Sequence, residues 1–153
     1  MENQINLTKQ ILLAAGIIEI AVGLLHFAMP FFVYQTKGFS LLQPNEINFV
    51  TLVIFAVGIL LVAFGSLTIL FSSKLESMIE VLYYYVVIKT ILWVGRVGLE
   101  LLYPINLSMF YVEPFTLIVL PGLIIELILF AVSIVLIKKV WVAQNVSQTN
   151  YSH

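Results

Sequence analysis

The chain contains no cysteine, which excludes disulfides, thiolate metal sites and cysteine nucleophiles. Charged residues are also scarce: they make up 10% of the 153 residues, whereas a soluble domain usually carries about 25%. So few charges cannot cover a water-facing surface. The net charge is −1, so no positive field attracts nucleic acid, and we expect no nucleic-acid partner.

Long apolar runs take the place of the missing charges. Four runs reach the ~20 residues that a helix needs to cross ~30 Å of hydrocarbon. They lie at about residues 11–34, 49–71, 78–103 and 115–137. A helix satisfies all of its own backbone polar groups, as a lipid-facing segment must. The sequence therefore predicts an all-α protein of the cell membrane, a bundle of four transmembrane helices whose surroundings are the lipid bilayer.

Basic residues in the flanks predict the orientation of the bundle. Four of them fall on the side that holds both termini, and one falls on the other side. The four are Lys9, Lys74, Lys138 and Lys139, and the one is Lys37. Because basic residues accumulate on the cytoplasmic side, we expect both termini in the cytoplasm. We interpret residues 1–140 as a single transmembrane domain and residues 141–153 as a polar cytoplasmic tail, and we expect disorder from Ala143 onward.

Six ionisable residues lie inside the predicted spans. They are Glu19 and His26 in the first, Lys89, Arg96 and Glu100 in the third, and Glu126 in the fourth. An unpaired charge at the bilayer centre costs about 2.5–3.5 kcal/mol, so these groups must face one another or a wet cavity. Counting from the ends of the spans places Glu19, Lys89 and Glu126 at a central depth, with the other three nearer the outer face.

The spacing of the charged residues predicts some of their partners and leaves others open. Arg96 and Glu100 are four apart and can pair within one helix. Lys89 can pair with either Glu19 or Glu126. Buried ionic groups can serve only to fix which helices pair, but intramembrane ionisable groups mark function by default. Six such groups from three helices therefore favour a cavity that can hold a ligand.

Small residues predict where the first two helices pack. Gly16 and Gly23 lie on the face of the first helix that also carries Glu19 and His26. The second helix has no charge but repeats small residues every seven positions. These are Thr51, Gly58, Gly65 and Ser72. Glycine lets a neighbouring helix approach closely, so this stripe predicts the packing face of the second helix.

The sequence predicts no metal site, no cofactor and no catalytic residue. The chain offers too few ligands for a metal ion, since it has only His26, the tail residue His153 and scattered glutamates. A haem bound by His26 would find no second axial histidine within the bundle. No phosphate-binding loop, triad order, zinc-protease motif or dinucleotide fingerprint is present. These absences weigh against an enzyme but leave that function open.

Two stretches resemble a known group of proteins. One is GIIEIAVGLLHF in the first helix, with a Gly-x-x-His-Phe pattern from Gly23 to Phe27, and the other is GRVGLELLYP, with an Arg–Glu pair ahead of Tyr-Pro. Together with the four-helix layout, they resemble the DoxX-like group of small bacterial and archaeal membrane proteins. Some members of that group are subunits associated with quinone-linked oxidoreductases, and many have no assigned function. The resemblance implies the fold and carries over no catalytic residue.

Three functions remain open. The first and most favoured is an accessory or interaction subunit in the membrane, whose polar cluster is structural or contacts a partner. The second is a protein that binds or transports a small molecule or a quinone head group at the cluster. The third is a membrane enzyme, which no accompanying nucleophile or metal set supports. Because four helices form a thin bundle, we expect a homo-oligomer or a partner membrane subunit.

Overall fold

Helices make up all of the regular structure in the part of the chain that is described. The computed structural model describes residues 2–102 and 115–151, with side chains for residues 2–102 and 119–145. Within these limits the prediction of an all-helical protein is confirmed. The helices are α1 (Glu2–Val33), α2 (Lys37–Ser40), α3 (Pro44–Ser73), α4 (Ile79–Leu102) and α5 (Phe115–Tyr151).

Three of these helices contain segments that are long and apolar enough to cross a membrane. The segments are Glu2–Val33, Pro44–Ser73 and Val119–Asn145. Large apolar side chains such as Phe31, Leu52 and Ile91 are exposed on the outside of the helices, as expected for a surface that faces lipid. The protein is therefore a helical membrane protein. α4 has 24 residues, four of them charged, and it is not among the three segments. A membrane crossing by α4 therefore stays a prediction.

The first and third helices are longer than the apolar runs that predict them. α1 begins at Glu2, because the polar residues before the apolar run contain no glycine or proline that would end a helix. α3 begins at Pro44, whose fixed backbone angle suits the first turn of a helix. The backbone N–H of Gln43 donates to the Glu46 carboxylate at 2.7 Å, which caps this start.

The C-terminal tail differs from its prediction. We expect disorder from Ala143 onward, but α5 continues to Tyr151. Residues 138–151 contain neither glycine nor proline, so no strong stop signal ends the helix there. The apolar part of α5 ends at Asn145, and the helix therefore extends beyond its candidate membrane span.

A pair of glycine contacts holds α1 against α3, and we call it the glycine seam (Gly16 with Gly65, Gly23 with Gly58). A Cβ atom added at Gly16 would lie 2.8 Å from the Gly65 carbonyl oxygen. A Cβ atom added at Gly65 would lie 2.7 Å from the Gly16 carbonyl oxygen. In the second pair, a Cβ atom added at either Gly23 or Gly58 would lie 2.9 Å from the carbonyl oxygen of the other glycine. Only glycine permits this approach of two backbones, as the small-residue stripe predicts.

The apolar core is densest at the end of the bundle that contains the first turns of α1. Its fully buried members there include Leu12, Leu75, Leu82, Ile137 and Val140. Lys9 pairs with Glu76 at 2.7 Å, which joins α1 to the turn between α3 and α4 at this end. Toward the opposite end, a cavity lies between the four long helices.

The glycine seam can be tested with a single methyl group. We expect Gly65→Ala to lower the free energy of unfolding by about 1–3 kcal/mol, because its Cβ would press on the α1 backbone. Gly95→Ala is the matched control, since no described atom lies within 4 Å of an added Cβ there. The control should raise stability slightly through helix propensity. Equal effects of the two variants in a micelle unfolding titration would contradict the seam.

Candidate functional site

A buried ion pair joins α4 to α1 at the centre of the bundle. The Lys89 ammonium group donates a hydrogen bond to Oε1 of Glu19, and both side chains are buried. The structure thus selects Glu19 from the two glutamates that the sequence allows as partners. Because an unpaired charge is expensive in an apolar interior, each of these residues offsets the cost of burying the other.

Aromatic rings complete the surroundings of the ammonium group. Nζ of Lys89 lies 4.7 Å from the centre of the Phe64 ring and 5.1 Å from the centre of the Phe130 ring. Both distances are within cation–π range, and such contacts are stronger where water is excluded. The lysine is therefore held by one carboxylate and two rings, from α1, α3 and α5.

Hydroxyl groups connect the carboxylate to α3. Thr68 Oγ1 lies 3.4 Å from Oε2 of Glu19 and 2.9 Å from the Tyr85 hydroxyl. The Tyr85 hydroxyl donates to the backbone carbonyl of Phe64 at 2.8 Å. Although α3 has no charge in its apolar run, it thus contributes polar contacts to the ion pair through one threonine.

Glu126, on α5, lies beside this pair but is not part of it. Its side chain is 1% exposed, and neither carboxyl oxygen has a hydrogen-bond partner among the described residues. It lies close enough to Lys89 and Glu19 to interact with their charges, yet the lysine hydrogen bond goes to Glu19. Buried polar groups nearly always have a partner. A buried carboxyl group without one is therefore the exception in this site that needs a physical reason.

A cavity of about 230 Å³ lies next to Glu126. α1, α3, α4 and α5 all contribute to its wall, which is mostly apolar. Four lining side chains carry polar groups, and they are His26, Trp93, Arg96 and Glu126. The cavity therefore connects the central carboxyl group with the residues that the sequence places nearer the outer face.

The two outer residues of the cavity already have partners. Nδ1 of His26 donates to the Val22 backbone carbonyl at 2.8 Å. In the neutral ring this leaves Nε2 as a hydrogen-bond acceptor. Arg96 pairs with Glu100 at 2.6 Å, one helical turn further along α4. Glu100 thus takes part in the site only through Arg96, and it does not line the cavity.

Sequence reasoning names the charged residues of this site but misses the groups around them. The groups that it misses are Thr68, Tyr85 and the rings of Phe64 and Phe130. Thr68 carries one usable signal, because it is a polar residue within an apolar run. The rings carry none, since the chain has 11 phenylalanines and most packing positions look alike in sequence.

The site holds no recognisable metal set, and no relative identifies it. Within the described residues, no three histidine or acidic side chains are grouped so that they could hold a metal ion. Comparison with protein-family models, curated proteins and solved structures finds no match to this chain. Function has therefore to be argued from the site itself.

Removing the lysine tests the central ion pair. Lys89→Met leaves Glu19 buried without a counter-charge, and we expect the free energy of unfolding to fall by about 3–5 kcal/mol. Glu126→Gln is the matched comparison and should change it by less than about 1 kcal/mol, because that carboxyl group has no hydrogen bond to lose. Unfolding in mixed micelles, followed by circular dichroism, measures both.

A double variant separates lost pairing from lost packing. Glu19→Gln combined with Lys89→Met removes both charges, so it should be more stable than Lys89→Met alone. A double variant less stable than the lysine variant would show that the cost lies in packing and not in an unpaired charge.

Proposed function

We propose that the protein binds a small molecule within the cell membrane, in the cavity beside Glu126. The observation that carries this proposal is the Glu126 carboxyl group, which is buried, lines the cavity and lacks a partner among the described residues. Ligand sites are typically apolar cavities with a few polar groups that fix orientation. Ionisable groups inside a membrane mark function by default. Both generalisations support a binding site here.

The pairing of the charged residues supports a division of roles. Glu19 and Lys89 satisfy each other and connect two helices, which is a structural role. Glu126, His26 and Arg96 line the cavity and can meet a ligand directly. The candidate binding group is therefore Glu126, assisted by His26.

An accessory or interaction subunit is the second candidate function. The internally satisfied Glu19–Lys89 pair favours it, because such a pair fixes helix packing without needing a ligand. The resemblance to the DoxX-like group agrees with it, since some members are subunits associated with quinone-linked oxidoreductases. A quinone head group is accordingly an alternative ligand for the cavity.

The proposal includes four membrane crossings with both termini in the cytoplasm. α4 would be the third crossing along the chain, because Lys89 and Arg96 have partners inside the protein and need not meet lipid unpaired. Basic residues flank the end that holds the N-terminal part of α1 and the turn before α4.

Cysteine labelling tests this topology cleanly, because the chain has no native cysteine. Single Ser40→Cys, Ser77→Cys and Ser108→Cys variants report on three successive connections between the predicted spans. We expect a membrane-impermeant maleimide added to intact cells to label the first and third variants but not the second. Labelling of Ser108→Cys only after the cells are opened would contradict a crossing by α4.

Filling the cavity tests ligand binding. Gly122 lines the cavity, and no described atom lies within 4 Å of an added Cβ, so Gly122→Leu should occupy the space without a backbone clash. Gly95→Leu is the matched control, because Gly95 is equally open but does not line the cavity. Native mass spectrometry of gently extracted protein should detect a small molecule on the wild type and on the control, but not on Gly122→Leu.

Two results would contradict the binding proposal. Retention of the same molecule by Gly122→Leu would place it outside the cavity. A stoichiometric partner protein, with no small molecule on any variant, would support the accessory-subunit function instead.

A further inference from the structure

We infer that the ligand is a small, largely apolar molecule with one primary ammonium group, and that Glu126 binds this group. The inference rests on the proposed function, because it specifies the chemical class of the molecule that the cavity holds. It is carried by the charge balance, the hydrogen-bonding groups and the size of the cavity.

The charges around the cavity leave one acidic group to be matched. Lys89 is paired with Glu19, and Arg96 is paired with Glu100. Glu126 has no basic partner among the described residues. A ligand with one positive charge would stabilise the ionised form of this carboxyl group and pair with it. A ligand with a negative charge would meet Glu126 while both nearby basic groups are already bound to carboxylates, so the site disfavours anions.

The hydrogen-bonding groups of the cavity favour a ligand that donates. Once a cation has ionised it, Glu126 offers two carboxylate oxygens, neither of which has a partner among the described residues. The neutral ring of His26 presents Nε2 to the same cavity as an acceptor, since its Nδ1 donates to a backbone carbonyl. The guanidinium group of Arg96 donates to Glu100. A primary ammonium group has three N–H donors and no acceptor, so it can donate to both oxygens of Glu126.

The size and walls of the cavity limit the rest of the molecule. A protein cavity of about 150 Å³ holds benzene, so a cavity of about 230 Å³ has room for one ring and a short chain. Side chains such as Ile18, Leu61 and Leu123 make most of the wall apolar. Leu25 and Val57 line the cavity and are 44% and 38% exposed, so the cavity borders the lipid-facing surface. A lipophilic amine dissolved in the bilayer can enter there.

A pair of probes of equal size tests the charge. 2-Phenylethylammonium and 2-phenylethanol differ only in the charged group, and both match the cavity in size. Equilibrium dialysis against the full chain in lipid nanodiscs measures their binding, and protein-free nanodiscs correct for partition into lipid. We expect the amine to bind the wild type roughly tenfold more tightly than the alcohol, because a charge-assisted hydrogen bond replaces a neutral one.

Variants assign the preference to Glu126. Glu126→Gln should reduce binding of the amine to the level of the alcohol. Glu80→Gln removes the same charge from the exposed start of α4, away from the cavity, and should keep the preference. A circular dichroism melt of each variant verifies that it is folded. Preference for the amine that persists in Glu126→Gln would overturn the assignment.

The remaining outcomes separate this inference from the proposed function. If alcohol and amine bind the wild type equally and Gly122→Leu loses both, the cavity is a ligand site but its ligand is not a cation. If neither probe binds above the protein-free nanodiscs, the amine inference fails, and the native mass spectra alone decide the proposed function. If Gly122→Leu binds both probes unchanged, the cavity is not their binding site and the amine inference fails as well.

Discussion

The ion pair between Lys89 and Glu19 is the interaction on which the rest of this structure depends. It places two opposite charges inside an apolar bundle, where each alone would oppose insertion into the bilayer. It also connects α4, the most highly charged helix, to α1. Because Lys89 donates its hydrogen bond to Glu19, the nearby carboxyl group of Glu126 has no hydrogen-bond partner among the described residues. The candidate function follows from this choice of partner.

α1 is the helix around which the others are arranged. Gly16 and Gly23 bring it against the α3 backbone, while Glu19 reaches α4 and His26 reaches the cavity. The same seven-residue spacing governs both pairs, so close packing and polar contacts share one stripe of the helix. The buried apolar core lies toward one end of the bundle, and the cavity beside Glu126 lies toward the other.

Much of this arrangement can be predicted from the sequence because the bilayer imposes simple rules. The helical class follows from the apolar runs, the Arg96–Glu100 pair from its spacing, and the glycine seam from the repeat of small residues. The partner of Lys89 cannot be predicted from the sequence, since Glu19 and Glu126 lie at similar predicted depth and only the packing of the helices decides between them. The cavity does not follow either, because it is the space left between side chains of four helices. The extension of α5 to Tyr151 is missed because polarity alone does not end a helix.

The most direct test of this account is a distance measured in the bilayer. Magic-angle-spinning NMR with nitrogen–carbon recoupling reports whether Nζ of Lys89 lies in contact with a glutamate carboxyl carbon. The account predicts a strong coupling in the wild type that is unchanged in Glu126→Gln, since the lysine binds Glu19. Loss of that coupling in Glu126→Gln would mean that the lysine pairs with Glu126. It would contradict both the central ion pair and the free carboxyl group on which the proposed binding site depends.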